Sequence, residues 1–343
     1  MRPRRRGGLG LLVLLAGVPG LWGCAEEGGP AEPPPEGDRT LILRMLDLGP
    51  GGLGGGGNAI LLTDSSAVGQ AHALVDGGPH GDTDEEIDHH FVARRLASLG
   101  VDTLELVQMS HAHADHFGAL IPVLDSLHVE IFAHNGQVRR SDFALHGAVL
   151  DRAQNRADSV VVPDSPWEHE LGSARVVFLP PLPDYLDQDL GGGGPEDHRE
   201  LNEGSLGTFV EAAGVRIFLA ADGEDEAGRR WRTRFPEHTG DVDILKVGHH
   251  GANNAVFDDR FGAADRSSAW LEHTDPSVVL VSANGRSHPR RRALERLEEV
   301  PGSEIHCTPV HGRVEVRISA DGWEVERERG HEEECRPGSE ADT

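Results

Sequence analysis

Short apolar runs alternate with polar turns over most of the chain, and this pattern predicts an α/β protein. The run Leu104–Met109 is mostly apolar and predicts a buried strand. Comparable runs predict further strands at 41–46, 59–63, 73–75, 129–133, 160–162, 174–179, 205–211, 215–221, 243–247, 278–282 and, as a hairpin, 314–318 with 323–325.

Helical patterns lie between these strands. Thr83 and Glu86 form a capping box and Gly100 is a stop signal, so a helix is predicted over 83–100. Further helices are predicted at 118–127, 141–156, 224–234 and 290–299. A core of mixed strands with helices on its outer faces is the packing that this order favours.

The first 23 residues have the pattern of a secretory signal peptide. Four arginines precede a short apolar stretch at 9–18, which cannot span a bilayer. Residues 21–24 (LWGC) resemble a bacterial lipobox, so we expect lipidation at Cys24 and an exported lipoprotein of the bacterial cell envelope, periplasmic or on the outer surface. The alternative is an ordinary signal peptide with an incidental cysteine.

The segments that flank the globular part are polar. Residues 24–39 are rich in Glu, Pro and Gly and predict a disordered linker, and residues 329–343 predict a disordered acidic tail. The globular domain is therefore expected over 40–328. If Cys24 is lipidated, Cys307 and Cys335 remain, and in an exported protein they either form a disulfide or stay as two thiols.

The chain is strongly acidic, with 32 Lys and Arg against 58 Asp and Glu and a formal net charge of -26. This balance argues against a broad basic surface for nucleic acid, because phosphate contacts come mainly from Lys and Arg. It does not exclude a nuclease in which metal ions supply positive charge. The 20 histidines are a high number and favour metal binding.

The densest group of candidate ligands is the segment 111–116 (HAHADH), directly after the strand predicted at 104–109. Its three histidines and Asp115 offer imidazole and carboxylate donors, which suit zinc and other divalent first-row metals. A chance polar loop is the alternative, and the full pattern after a buried strand makes that the weaker interpretation.

This HxHxDH pattern resembles the signature of the metallo-β-lactamase superfamily, which implies a four-layer αββα sandwich with divalent metals at one edge. Asp76, in LVDGG, resembles the carboxylate that braces the metal loop. Asp222, in AADG, resembles the family's Asp that bridges two metals. The segment 246–251 (KVGHHG) resembles the final histidine motif.

Four segments occur in the order seen in the hydrolase domain of ComEC-type DNA-uptake competence proteins. They are NAILL at 58–62, NEGSL at 202–206, HHG at 249–251 and SHP at 287–289. The resemblance covers about 40–320 and implies a phosphodiesterase or nuclease-like activity.

One position departs from the superfamily pattern. A histidine often precedes the strand leading to the bridging Asp, and Asn202 and Ser205 occupy that neighbourhood here, as in the ComEC-type pattern. His198, nearby in sequence, is either a substitute ligand or a histidine of a disordered loop.

The resemblance also implies a division of the ligands between two ions. His250 is preferred to His249 because the family's last ligand directly precedes a glycine, and His249 then supports the ligands or contacts substrate. One or two ions are expected, zinc first and manganese as the alternative, with a metal-bound hydroxide as nucleophile. The first ion would be held by His111 and His113, the second by Asp115, His116 and His250, with Asp222 bridging.

Three further residues complete the candidate site. Asp115 is expected to accept a proton as well as to bind metal. His288 precedes a predicted helix start, where it either donates to a phosphate oxygen or leaving group or has a capping or packing role. Asn58 either positions a loop beside the site or is an ordinary turn residue after Gly57.

These expectations describe an exported metal-dependent hydrolase of phosphodiesters or small molecules. Nucleic acid is a candidate substrate without a basic binding surface, and the membrane is contacted only through the N-terminal lipid. The alternatives are a lactone, thioester or β-lactam hydrolase, and a non-catalytic metal-binding lipoprotein.

Overall fold

Two β-sheets pack face to face, and helices cover the outer face of each sheet. The fold is therefore a four-layer αββα sandwich, which confirms the predicted fold class. The computed structural model describes residues 40–49, 56–66, 69–79, 90–137, 144–186, 195–258 and 267–340.

The first sheet is antiparallel in one half and parallel in the other. Across the sheet its described strands are β15 (Gly322–Arg327), β14 (Val314–Ser319), β1 (Thr40–Met45), β2 (Ile60–Ser66), β3 (Gly69–Val75), β4 (Thr103–Met109), β5 (His128–His134) and β6 (Ala157–Val161). Pairing is antiparallel from β15 to β3 and parallel from β3 to β6.

The second sheet has the same division. Across the sheet its described strands are β13 (Glu304–Cys307), β12 (Val278–Val281), β11 (Ile244–Lys246), β10 (Val215–Leu219), β9 (Gly207–Ala212), β8 (Ala174–Leu179) and β7 (Trp167–Leu171). The strands from β10 to β13 are parallel, and those from β7 to β10 are antiparallel.

Helices connect the parallel strands and cover both sheets. The described helices are α1 (Phe91–Ser98), α2 (Ala114–Phe117), α3 (Leu120–Ser126), α4 (Ala144–Arg156), α5 (Pro195–Glu203), α6 (Asp225–Arg234), α7 (Pro236–Thr239), α8 (Asn253–Val256), α9 (Ala269–Thr274), α10 (Arg291–Glu298) and α11 (Thr308–His311). Within the described ranges, none is both long enough and apolar enough to cross a bilayer.

Strand alternation divides the apolar side chains between an inner and an outer core. Leu62 of the first sheet and Ile217 of the second are fully buried in the layer between the sheets. Phe218, the next residue after Ile217, points outward and packs edge-on against Trp231 of α6 and Trp270 of α9, with ring centroids 5.1 and 5.5 Å apart. Burial on both faces is what the runs of apolar residues in these strands predicted.

Most predicted elements are present, with shifted ends. The helix predicted at 118–127 begins later, as α3, and the preceding residues form the separate short helix α2. The capping box at Thr83 and Glu86 lies outside the described residues, and α1 accounts for the rest of that predicted helix. The strand β7 was not predicted because its sequence WEHEL is largely polar, as an edge strand permits.

The parallel halves of the two sheets deliver the candidate residues to one edge. Asp76 follows β3 and the segment 110–116 follows β4, while Asp222 follows β10 and His250 follows β11. The carboxyl ends of parallel strands form the crevice in which open α/β folds bind ligands. The candidate ligands therefore meet because of the topology, although they are far apart in sequence.

The C-terminal segment differs from the prediction of a disordered tail over 329–343. Residues up to 340 are described, and Cys335 and Gly338 are buried. Cys335 forms a disulfide with Cys307 at the end of β13, which decides between the two alternatives that the sequence left open. His311 reinforces the attachment, because its Nε2 lies 2.9 Å from the carbonyl oxygen of Glu333.

We predict that the Cys307→Ser, Cys335→Ser double variant loses about 3.5 kcal/mol of unfolding free energy, because the disulfide restrains the unfolded chain. The 28-residue separation between the cysteines sets this magnitude. Urea denaturation of the purified chain measures it. Reductant should lower the urea midpoint of the wild type to that of the double variant and leave the double variant unchanged. An unchanged wild-type midpoint after full reduction would contradict the prediction.

Candidate functional site

Four side chains from both sheets form a buried cluster at the carboxyl edge. Asp115, His116, Asp222 and His250 each offer a ligand atom, and these atoms all lie within 4.8 Å of one another. Asp222 is central: its Oδ1 is 3.1 Å from His116 Nε2 and its Oδ2 is 3.2 Å from His250 Nε2. Asp115 Oδ2 is 3.3 Å from the same His250 nitrogen.

The donor atoms of this cluster fit a divalent cation. His116 Nε2, Asp222 Oδ1 and His250 Nε2 are buried and make no hydrogen bond within the described residues. Buried polar atoms without a hydrogen bond are costly, and a shared cation satisfies all of them at once. Two imidazoles with two carboxylates is a donor set that zinc and other divalent first-row metals accept.

The electrostatics of the cluster favour a positive charge at its centre. Burial alone lowers the pKa of His116, but the carboxylates of Asp222 and Asp76 outweigh burial and raise that pKa to about 10. Burial raises the pKa of Asp222, and His116 and His250 more than reverse this and hold it well below the usual range. Both shifts favour an ionised Asp222 carboxylate with positive charge beside it, which a divalent cation would supply.

Hydrogen bonds on the outer nitrogens orient both histidines. His116 Nδ1 lies 2.7 Å from Asp76 Oδ2, and His250 Nδ1 lies 2.7 Å from the carbonyl oxygen of Ser282. When each ring is neutral and its Nδ1–H donates to this oxygen, its Nε2 presents a lone pair to the cluster, as binding of a metal ion requires. Such partners fix the tautomer and ring orientation of histidine ligands.

Asp76 also holds the loop that carries the HAHADH segment. Its Oδ1 accepts a hydrogen bond of 2.8 Å from the Ser110 amide, and its Oδ2 accepts one of 2.9 Å from Ser110 Oγ. Asn58 Nδ2 donates to the same Oδ2 at 3.0 Å, and the Asn58 amide donates to the Asp115 carbonyl at 3.1 Å. The structure therefore gives Asn58 a contact with both Asp76 and the loop, beyond the turn residue that the sequence also allowed.

His111 and His113 form a second pair of converging ring nitrogens. His111 Nε2 and His113 Nδ1 lie 2.9 Å apart. Burial, with smaller contributions from His116 and His113, lowers the pKa of His111 well below its usual value, and burial lowers the pKa of His113 to about 4. Both imidazoles are therefore neutral at pH 7, which is the state that binds metal.

His198 belongs to α5 rather than to a disordered loop. Its Nδ1 lies 2.9 Å from His113 Nε2, and the two rings stack with centroids 5.1 Å apart. This contact is on the outer nitrogen of His113, opposite the nitrogen that converges with His111. His198 thus contacts the ring nitrogen of His113 that points away from His111.

The turns that follow β10 and β11 of the second sheet approach each other closely at the GHHG segment. A Cβ on Gly248 would be 2.2 Å from the carbonyl oxygen of Gly223, so glycine allows this segment to lie against the Asp222 turn. His249 and His250 have φ of 41° and 54°, a left-handed turn that directs the two rings to different sides. His250 points into the cluster. His249 lies on the solvent-facing side of the cluster, which we call its mouth, with 21% of its side chain exposed.

Asn202, His249 and Glu224 form a polar contact beside the cluster. Glu224 Oε1 is 3.0 Å from His249 Nδ1 and accepts a hydrogen bond of 2.7 Å from Asn202 Nδ2. Ser205 contributes mainly through its backbone, since its carbonyl accepts from Arg230 at 3.3 Å. The structure brings Asn202 to His249, and we find no contact of Ser205 with the ligands among the described residues.

Sequence reasoning missed Glu224 and Lys246. Lys246 is fully buried; its Nζ donates to the Ala221 carbonyl at 2.6 Å and lies 3.9 Å from Asp222 Oδ1. It therefore fixes the turn that presents Asp222. The signal was available, because a lysine at the end of an apolar strand and a Glu two residues after Asp222 are both unusual polar positions.

His288 is buried and faces the mouth of the cluster. Its ring centroid is 5.5 Å from that of His249 and 6.1 Å from that of His250. Asn284 Nδ2 donates to Ser287 Oγ at 3.3 Å, so the Ser287 hydroxyl donates to His288 Nδ1 at 3.0 Å and the proton of the neutral ring lies on Nε2. Burial and the neighbouring His249 and His250 lower the pKa of His288 to about 2, so its ring is neutral.

A sequence model described as the metallo-beta-lactamase superfamily matches residues 52–222. Among curated proteins, ComE operon protein 3 of Bacillus subtilis (strain 168) is 23% identical over 206 residues, which cover 59% of this chain and 23% of that protein. The chain thus matches less than a quarter of that relative's length. These matches confirm the resemblance predicted from the sequence.

The solved structures with a fold similar to that of this chain include YhfI and CmlA. The metallo-beta-lactamase fold protein YhfI from Bacillus subtilis is 12% identical with a TM-score of 0.44, over 79% of this chain and 96% of that one. CmlA, a diiron beta-hydroxylase from Streptomyces venezuelae, is 18% identical with a TM-score of 0.44, over 86% of this chain and 55% of that one.

We predict that Asp76→Asn lowers zinc affinity about ten- to hundredfold, because the amide nitrogen cannot accept from His116. Competition with a chromogenic chelator measures the affinity. Asp64→Asn is the matched control, since Asp64 is equally buried but accepts from Ser173 at 2.7 Å, away from the ligands. Equal zinc affinity in wild type and Asp76→Asn would contradict the prediction.

Proposed function

The chain carries a metallo-β-lactamase superfamily domain, and we propose that this metallo-hydrolase cleaves phosphodiesters outside the cytoplasm. The observation that carries the proposal is the pair of imidazoles, His249 and His288, at the mouth of the ligand cluster. Two such imidazoles beside bound divalent cations suit a tetrahedral anion better than a planar neutral carbonyl.

The ligands divide into two groups under this proposal. When bound, one or two divalent cations, zinc first and manganese as the alternative, would supply a reactive water at neutral pH and positive charge against a phosphoryl group. One group is His111 and His113 with Asp222. The other is Asp115, His116 and His250, with Asp222 common to both.

The chain's own groups then orient the substrate and move the proton. The Asp115 carboxylate is ionised, because His250 and His116 outweigh the effect of burial and lower its pKa, and it accepts the proton released during attack. The His288 Nε2–H donates a hydrogen bond to a phosphoryl oxygen. The Glu224 carboxylate holds His249 in place, so that its other ring nitrogen is directed to the mouth.

A second candidate function is hydrolysis of a lactone, thioester or β-lactam. The formal net charge of -26 favours it, since such an acidic chain repels a long polyanion more than a neutral small molecule. The same ligand cluster and Asp115 serve this reaction, whereas the donors at His249 and His288 would face a single oxyanion and not the several oxygens of a phosphoryl group.

Export and lipid anchoring at Cys24 belong to the same proposal. The Cys307–Cys335 disulfide supports export, because disulfides persist in oxidising compartments and are rare in the bacterial cytosol. The membrane contact would be the N-terminal lipid alone.

We predict that the zinc- or manganese-loaded protein hydrolyses bis-p-nitrophenyl phosphate and single-stranded DNA, and that the Asp115→Ala, His116→Ala double variant does not. The double variant loses two ligands and the proton acceptor. The matched control is Asp158→Ala, His128→Ala, which removes an Asp–His pair 3.3 Å apart and half-exposed on the surface.

Wild-type activity no greater than that of the Asp115→Ala, His116→Ala double variant would contradict the phosphodiesterase proposal. Turnover of a lactone panel in the same preparations would then select the second function. A purified protein that holds almost no metal and gains no activity on addition of zinc or manganese would indicate a non-catalytic lipoprotein.

We predict that the full chain, expressed in a bacterium, fractionates with the membrane and that Cys24→Ser moves it to the soluble envelope fraction. The variant keeps the signal pattern but removes the thioether that would carry the lipid. Immunoblots of fractionated cells measure the change. Full recovery of the wild type in the cytosolic fraction would contradict export.

A further inference from the structure

We infer that the C-terminal segment 335–340 is part of the active site, where it positions His288. This inference rests on the proposed function for the role of His288, but the placement of the segment is independent of it. The segment lies more than a hundred residues beyond the end of the superfamily match at 222.

The loop 283–289, which carries His288, is fastened at its start by side chains. Thr308 Oγ1 accepts from the Ala283 amide at 3.0 Å and donates to the Ala283 carbonyl at 3.0 Å. Ser282 Oγ donates to the Gly57 carbonyl at 2.7 Å. These contacts hold residues 282 and 283. In the part of the loop nearer His288, Asn284 Oδ1 accepts from the amides of Arg286 and Ser287 at 2.9 and 3.1 Å, and other groups bind the backbone carbonyls.

The C-terminal segment holds that part through three consecutive backbone amides. Gly338 donates to the Pro289 carbonyl at 2.9 Å, Ser339 donates to the Gly285 carbonyl at 2.9 Å, and Glu340 donates to the Arg286 carbonyl at 2.7 Å. The accepting carbonyls lie on both sides of His288. The segment therefore restrains the loop on each side of the imidazole.

Gly338 makes this close approach feasible. A Cβ at this position would be 2.3 Å from the carbonyl oxygen of Arg286 and 3.0 Å from the His288 amide nitrogen. Both neighbours are backbone atoms, so a side chain at 338 would have to displace either the segment or the loop. The Cys307–Cys335 disulfide limits how far the segment moves away, since Cys335 is only three residues before Gly338.

The consequence concerns the orientation of His288. Its Nδ1 contact with Ser287 and its distance from His249 depend on the backbone that the segment restrains. A small displacement of a group that binds the reacting phosphoryl costs rate without destroying the metal site. The segment is thus a positioning element, and it touches neither the ligands nor the substrate itself.

Gly338→Ala tests this in the full-length chain. We expect kcat/KM for bis-p-nitrophenyl phosphate to fall about tenfold with zinc content unchanged. Gly147→Ala is the matched control, because a Cβ on this exposed helical glycine meets no atom within 4 Å, and its rate should equal that of the wild type. Truncation after Pro337 removes the three amide donors but keeps the disulfide, and it should reproduce the loss if Gly338→Ala folds poorly.

Two readouts separate positioning from general damage. In a His288→Ala background, Gly338→Ala should cause no further loss, because coupled residues are non-additive. Amide hydrogen exchange of residues 284–288 should accelerate in Gly338→Ala and in the truncation, but not in Gly147→Ala. Equal losses with and without His288, or unchanged exchange in the loop, would overturn the inference.

If the wild type hydrolyses no diester, the proposed function fails and the exchange measurement alone decides this inference. Accelerated exchange would then still support restraint of the His288 loop by the segment. Unchanged exchange would reject it whatever the substrate of the enzyme.

Discussion

The contact on which the site depends is the hydrogen bond from His116 to Asp76, at 2.7 Å between two fully buried side chains. Asp76 follows β3 in the first sheet, and the other nitrogen of His116 is 3.1 Å from Asp222, which follows β10 in the second. One imidazole therefore links the edges of the two sheets. Buried charges are expensive unless each has its partner, and a divalent cation would complete this arrangement.

The sequence was informative where the chemistry is local. His111, His113, Asp115 and His116 lie within six residues, and the apolar strand before them predicted their position at a strand end. Asp222 and His250 are single polar residues far from that segment, so only the resemblance to a family could connect them to it. The sheets bring them together because β3, β4, β10 and β11 all end at one edge.

Contacts between distant segments could not be predicted in the same way. Lys246 and Glu224 are at unusual positions for charged residues, but their roles appear only when their partners Ala221 and His249 are placed. The C-terminal segment was predicted to be disordered from its acidic composition. Its order comes from one disulfide and backbone hydrogen bonds with a distant loop, neither of which depends on apolar side chains.

The part of the chain outside the superfamily match bears most directly on the choice of substrate. The match ends at Asp222, and His249, His250 and His288 all come later. An acidic chain cannot attract a polyanion over long distances, so recognition of phosphate must come from short-range donors and bound cations. Under the proposed function those donors are the imidazoles of His249, held by Glu224, and of His288, held by Ser287. Affinity for substrate should then depend on the orientation of two rings, which makes the backbone around His288 as important as the ligands.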